Sequence, residues 1–250
     1  RYDFLQFDPA VTCAPKQKTM KVEIWSDLVC PFCYIGKRRF EQALEQFANK
    51  EKVEIVWKSF QLDPDMQPIS GESVHQYLAK RKGVSVEKAK EMGHYMSNMA
   101  KEVGLDYNFD IAVINNTLAP HRLLHLAKKY GVQDEAKEKL FAAYYTEGKD
   151  IAATEVLIET GTSLGIPADE IQQMLQSDLY IDEVRQDQYR AQQIGIQGVP
   201  FFVFNNKYAV SGAQPVDVFT QVLDTVWEEE KPLVEIAAAD GFCTTDGICN

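Results

Sequence analysis

Hydrophobic and polar positions change their period five times along this chain. Over Lys21–Ser26, Val22 and Ile24 alternate with Glu23 and Trp25, the two-residue period of a strand with one face turned inward. From Pro31 to about Asn49 the apolar residues Phe40, Ala43, Leu44 and Phe47 mark one face of a helix, opened by a proline at its first position. Val53–Phe60 is β-branched and aromatic and predicts a second strand, parallel to the first because a crossover helix joins them. A loop carrying Pro64 and Pro68 follows. From Glu72 to Gly195 the period is helical almost throughout, with segments near 72–82, 85–103, 117–130, 134–147, 154–164, 168–177 and 180–194. Gly83, Gly104, Gly131, Gly148, Gly165 and Pro167 stand between them, where helix ends belong. The strand pattern returns at Pro200–Phe204 and Tyr208–Ser211 around Asn205-Asn206, which predicts an antiparallel hairpin, and Val216–Glu229 closes the pattern as a helix.

This order predicts an α/β fold: a thioredoxin-like core (β-α-β … β-β-α) with a large all-α helical domain inserted after the second strand. Residues 20–65 and 196–232 form the two parts of that core, 66–195 the insert, and 233–250 a C-terminal tail. Residues 1–19 carry no alternation, no helical period and no signal-peptide core. They read as an extension ahead of a native start at Met20, outside the fold.

Composition narrows the function. With 45% hydrophobic residues the chain can bury a sizeable core, which argues against disorder. A net charge of −11 without a basic stripe repels phosphate backbones, so no nucleic-acid partner is expected. No apolar run reaches the roughly 18 residues of a membrane helix, so no membrane partner is expected either. The five cysteines fall as Cys30 with Cys33, Cys243 with Cys249, and Cys13 alone. That is too sparse for a disulfide scaffold, and the odd thiol fits a reducing, cytoplasmic setting.

Cys30-Pro31-Phe32-Cys33 lies where the first strand gives way to a helix. A helix N-terminus favours an anion, so Cys30 is expected to be an exposed thiol of lowered pKa, the nucleophile. Cys33, one turn inward, is then shielded and placed to resolve a mixed disulfide. Pro31 and Phe32 belong to the same substrate-facing stretch. A proline entering a strand, as in Gly198-Val199-Pro200-Phe201-Phe202, suits a cis bond, and Val199 would offer backbone groups to a substrate. Glu23 is a candidate proton shuttle for the resolving step, whereas Asp27 suits a cap in the loop before the helix. His121 and His125 share a helix face, but no glutamate follows His121, and no metal is expected. Cys243 and Cys249 flank an Asp246-Gly247 turn and are a candidate second redox pair.

From about Met20 to Gln214 the chain resembles the DsbA-type thioredoxin-fold family, and within it the FrnE-like dithiol–disulfide isomerase branch. The resemblance rests on Ser26-Asp27-Leu28-Val29-Cys30-Pro31-Phe32-Cys33-Tyr34-Ile35-Gly36-Lys37, Phe60–Asp65, Asn116-Thr117 with His121-Arg122-Leu123, Gly198–Phe202 and Ser211–Gln214. It implies a thiol–disulfide oxidoreductase or isomerase with Pro200 as a cis-proline and with Asn116, His121 and Arg122 lining the cleft over Cys30. Its partners would be protein or small-molecule thiols and disulfides. No cofactor is implied beyond the redox-active disulfide, with glutathione a candidate co-substrate and a monomer or homodimer as the assembly. Phe32 stands where that branch often has tryptophan and the best-known DsbA proteins have histidine, which implies a less oxidising pair. Pro120 replaces the family's usual alanine. Two rival readings stand beside this one. A glutathione-dependent enzyme of the kappa-transferase or hydroxychromene-carboxylate-isomerase type generally needs only one serine or cysteine at the Cys30 position. A non-catalytic zinc-binding or interaction module would need more ligands than Cys30 and Cys33 supply.

Overall fold

The computed structural model describes residues 18–67 and 71–229; the 1–17 stretch with Cys13, and the 230–250 stretch with Cys243 and Cys249, lie outside the described residues. Strand β1 (Met20–Ser26) leads into helix α1 (Pro31–Gln46), and a 3-10 turn (Lys50–Lys52) precedes β2 (Val53–Ser59). Helices α2 (Val74–Lys82), α3 (Val86–Lys101), α4 (Leu118–Lys129), α5 (Gln133–Tyr145), α6 (Thr154–Thr162), α7 (Ala168–Leu175) and α8 (Ile181–Gln193) come next. The hairpin β3 (Phe201–Phe204) and β4 (Tyr208–Ser211) and helix α9 (Val216–Glu229) complete the order. The sheet runs β2-β1-β3-β4, with β1 parallel to β2 and antiparallel to β3. Asn205 and Asn206, at φ 47° and 55°, make the hairpin turn, as their tolerance of left-handed backbone predicts.

Two departures from the periodicity have physical causes. Helix α1 stops at Gln46, three residues early, because Phe47 leaves the helix to pack edge-on against Trp227, 5.7 Å away. Strand β1 does not alternate between core and solvent: Trp25 and Glu23 are as buried as Val22 and Ile24. Helix α8 covers that second face, where the Trp25 indole donates to the Asp187 carbonyl at 2.9 Å. Sheets covered on both faces lose the period-2 signature.

The other face of the sheet packs Phe202, Phe204 and Val210 against Phe40 of α1 and Phe219 and Leu223 of α9. On the side of α1 away from the sheet, Tyr34 and Ile35 join one continuous apolar cluster with Leu124, Leu140, Phe141 and Tyr145 of the helical segment. Tyr34 stacks on Phe141 at 4.6 Å, Tyr107 on Tyr145 at 4.2 Å, and the Tyr107 hydroxyl donates to the Pro31 carbonyl at 2.8 Å. Lys37, buried in α1, pairs with Asp134 at 3.2 Å and Glu138 at 3.1 Å on α5 and with Glu41 on its own helix. The inserted helices are thereby fastened to the first turns of α1, the elements that carry the cysteines.

Candidate active site

Cys30 is the N-cap of α1 in extended backbone (φ −91°, ψ 112°), with Pro31 opening the helix. This places Cys33 one turn inside, its N–H donating to the Cys30 carbonyl at 3.0 Å. Both are free thiols; relative exposure is 4% for Cys30 and 1% for Cys33. The Val199-Pro200 bond is cis, and the Cys30 thiol donates to the Val199 carbonyl at 3.4 Å. The approach is close because residue 36 has no side chain: a Cβ there would lie 2.9 Å from Pro200 Cγ. The exposed, acidified Cys30 read from the helix start is therefore corrected. Its thiol is pushed up by the neighbouring Cys33 thiol, by burial and by the charge of Asp27. A helix end supplies about 1 kcal/mol toward the thiolate, less than burying an anion costs.

Beneath the thiols lies a buried polar group. Asp27 Oδ1 accepts from the Leu28 N–H at 2.8 Å and from His121 Nε2 at 3.2 Å, and Oδ2 accepts from the Leu62 N–H at 2.8 Å. Burial raises the Asp27 pKa, but these hydrogen bonds and His121 outweigh it and hold the carboxyl below its usual range. Burial lowers His121 more than Asp27 raises it, so the imidazole is neutral, with Nε2–H toward Asp27. Lys137, fully buried, donates to the Ser26 carbonyl at 3.4 Å, with the Trp57 and Phe141 rings 5.3 and 5.2 Å from its ammonium. Burial brings it down to about 8, against the pull of Cys33, Asp27 and Cys30.

The Asp27–His121 pair sets an acid limb of stability. Both groups bind protons less readily folded than unfolded, so the unfolded state gains protons first as pH falls. His121 contributes full stability above its unfolded value of 6.5 and loses it as pH drops below; Asp27 follows below 3.8. Unfolding free energies from urea titrations are expected to fall between pH 7 and 5 through His121 alone, by up to about 1 kcal/mol per unit, with Asp27 adding its loss only below about pH 4. His121→Gln should flatten the slope between pH 7 and 5.5. An unchanged slope in that variant would rule out a neutral buried imidazole.

A cavity of about 1030 Å³ opens beside Cys30. Val29, Pro31, Phe32 and Val199 form the wall on the cysteine side, and Phe32 is 39% exposed there. Met66, Tyr77, Met92, Met96 and Phe109, from α2, α3 and adjoining loops, line the opposite side. The triad of Asn116, His121 and Arg122 expected over the cleft is not on its wall. Asn116 ties loops together, accepting from Gln61 at 3.1 Å and the Leu118 N–H at 2.9 Å and donating to the Pro64 and Met66 carbonyls at 3.0 and 3.1 Å. His121 is buried on Asp27. Arg122 reaches the other way to the Leu179 carbonyl at 2.7 Å and to those of Met174, in the last turn of α7, and Ser177, just after it. Glu23 is buried too, but with Arg190 at 2.7 Å, Lys21 at 3.5 Å and Lys58 at 3.8 Å; Asp27 is the carboxylate acting on Cys30. Among the described residues no three His, Cys, Asp or Glu converge as a metal site, and no helix is long and apolar enough to cross a membrane.

Two features went unread in the sequence. The cavity methionines are one: Met92 and Met96 stand four apart on one face of α3, a spacing that marks a shared face, whereas Met66 comes from a loop and carries no such signal. Lys137 did carry one: it lies on the inward face of α5 with Ala136, Leu140, Phe141 and Tyr144, where a charge is out of pattern.

A dithiol on a helix start, facing a cis-proline across a thioredoxin-like sheet, is the arrangement with which known proteins can be compared. The family profile described as the DSBA-like thioredoxin domain matches residues 21–224. The chain belongs to that family. A probable DsbA oxidoreductase from Streptomyces coelicolor is 39% identical, covering 91% of this chain and 97% of that one, with a TM-score of 0.80. The uncharacterized protein YwbO of Bacillus subtilis (strain 168) is 26% identical over 217 residues, 82% of this chain and 96% of that protein. The cytosolic disulfide reductase DsbM of Pseudomonas aeruginosa with GSH shares the fold at 18% identity and a TM-score of 0.60, over 83% of this chain and 99% of that one. This DsbA-like chain is accordingly an oxidoreductase of the thiol–disulfide type.

Proposed function

We propose that the chain transfers electrons from the Cys30–Cys33 dithiol to disulfide substrates bound in the adjoining cavity. The observation that carries this reading is the Cys30 thiol on the Val199 carbonyl at 3.4 Å, at the cavity wall, with Cys33 behind it. The Cys30 thiolate attacks one sulfur of the substrate disulfide, and one substrate thiolate leaves. The Cys33 thiolate then attacks Cys30 Sγ, the intramolecular disulfide closes, and the second substrate thiolate leaves with the electron pair of the broken bond. Two electrons have passed to the substrate, and an external thiol restores the dithiol.

The direction follows from the burial of Cys30. A strongly oxidising pair owes its potential to a stabilised thiolate in the reduced form. Here burial, the Val199 carbonyl and Asp27 disfavour that thiolate, which supports reduction of substrates rather than their oxidation. Glutathione is the small thiol we assign to the cycle, either as restoring reductant or as its mixed disulfide; the fold likeness to DsbM with GSH supports that choice. A reducing compartment such as the cytoplasm would keep the pair in its working state.

The test is capture of the intermediate. Cys33→Ser mixed with oxidised glutathione is expected to hold one glutathione on Cys30 by intact mass, whereas the wild type releases it. No adduct on Cys30 would end this reading. Glutathione-dependent isomerisation of a small molecule that survives Cys33→Ser would favour the kappa-type alternative instead.

A further inference from the structure

Lys137 takes no part in the two exchange steps, yet it is placed where a charge is hardest to hold. Its side chain is fully buried, it donates to the Ser26 carbonyl at 3.4 Å, and among the described residues no carboxylate lies within ion-pair distance of it. It shares its apolar surroundings with Cys33: Ala136, Leu140 and Phe141 of its own helix belong to the same cluster as Cys33 and Tyr34 of α1. The titratable groups that act on it most can be named. Cys33 is the strongest, followed by Asp27, Cys30 and Asp134, with His121 a neutral neighbour on α4. An unpaired buried ammonium is costly unless an anion forms beside it. The anion absent from the resting dithiol and present during turnover is a thiolate.

We infer that Lys137 is the counter-charge of the resolving thiol, taking the proton of Cys33 as the thiolate forms. This rests on the reading of Cys30 as the attacking thiol. In the mixed disulfide, Cys33 Sγ–H gives its proton to the minor fraction of Lys137 that is neutral amine, about one molecule in ten at pH 7 for a group titrating near 8, so the buried region keeps its net charge while a thiolate–ammonium pair appears. The thiolate attacks Cys30 Sγ, the Cys30–Cys33 bond forms, and the bond from Cys30 to substrate sulfur breaks with its electron pair on the departing thiolate, which solvent protonates. With the thiolate consumed, Lys137 has lost its partner and gives up its proton to solvent. A lysine that burial has brought to about 8 can accept and return a proton near neutral pH, which an ordinary surface lysine cannot. Lys137 is a positioning residue in this scheme, since it acts through Cys33.

Rapid mixing with an aromatic disulfide whose thiolate is coloured separates the two steps, because attack by Cys30 and resolution by Cys33 each release one coloured thiolate. In Lys137→Met the first release is expected to change less than about threefold, while the second slows roughly tenfold or more at pH 7 and rises only at higher pH. The variant should also melt above the wild type at pH 7, since a buried charge has gone, which shows that it folds. A second release with unchanged rate and pH profile would overturn the assignment of Lys137, and so would an equal slowing of both releases. Absence of the first release in the wild type would instead overturn the role of Cys30. A measurement without any variant completes the test: NMR of lysines labelled at Cε should show one resonance titrating near 8 in the dithiol and at lower pH in the disulfide. Identical titration in the two forms would overturn the proposal.

Discussion

Cys30→Ser is expected to reduce thiol–disulfide exchange to the uncatalysed background, a loss of roughly 10⁴-fold or more. A serine oxygen cannot form the mixed disulfide, so the loss does not depend on how well the pocket holds substrate. Cys33 does not replace Cys30, because it is 1% exposed and one turn inside α1, away from the cavity wall. The wild type should show a second signature. With the Cys30 thiol pushed above its ordinary range, only a small fraction is thiolate at neutral pH, and the rate of first attack should climb close to tenfold per unit from pH 7 to 9. Stopped-flow mixing with a disulfide substrate over that range measures both points. Substantial exchange by Cys30→Ser would move the nucleophile elsewhere, and a rate independent of pH would mean that Cys30 is already ionised. The same burial sets the equilibrium. Pairs that stabilise their thiolate reach about −120 mV and those that do so weakly about −270 mV, a span of roughly 7 kcal/mol, and this pair is expected near the lower value.

The parts of this fold legible in the sequence are those whose cause is local. Helix ends from Gly83 to Gly165 follow from left-handed glycines, the hairpin from Asn205-Asn206, and the position of the dithiol from a strand running into Pro31. What the sequence hid depends on contacts far along the chain. Trp25 and Glu23 read as the solvent side of a strand until α8, some 160 residues later, covers them. Helix position made Cys30 an acidified thiol, because the N-cap is visible in sequence whereas the Val199 carbonyl and Asp27 acting on it are not. Asn116, His121 and Arg122 came as a group from the family resemblance, yet packing sends each in a different direction. His121 reaches the site indirectly, by neutralising none of the charge on Asp27 while fixing its orientation.

Gly36→Val is expected to lower the exchange rate roughly a hundredfold, and the argument turns on which of two opposing effects wins. Replacing a helical glycine by alanine stabilises the helix by about 1 kcal/mol, and a valine recovers part of that. Against it stands the packing of α1 on the active-site turn: the first added carbon falls 2.9 Å from Pro200 Cγ and 3.4 Å from Ala213 Cβ. Neither neighbour can swing aside. A proline ring has no rotamer to change, and α1 is pinned on its other face by the Tyr34 stack and the Lys37 ion pairs. Overpacking of this kind costs about 1–3 kcal/mol, so it exceeds the helical gain. Relief comes by moving Pro200 and, with it, the Val199 carbonyl away from Cys30, and displacing a reacting group by about 1 Å can cost 10²-fold in rate. Kinetics should therefore suffer more than stability. Gly36→Ala, with one carbon instead of three, should fall between the variant and the wild type in rate while unfolding within about 1–2 kcal/mol of the latter. Full activity in Gly36→Val would show that the 3.4 Å approach of Cys30 to Val199 is not what positions the substrate disulfide.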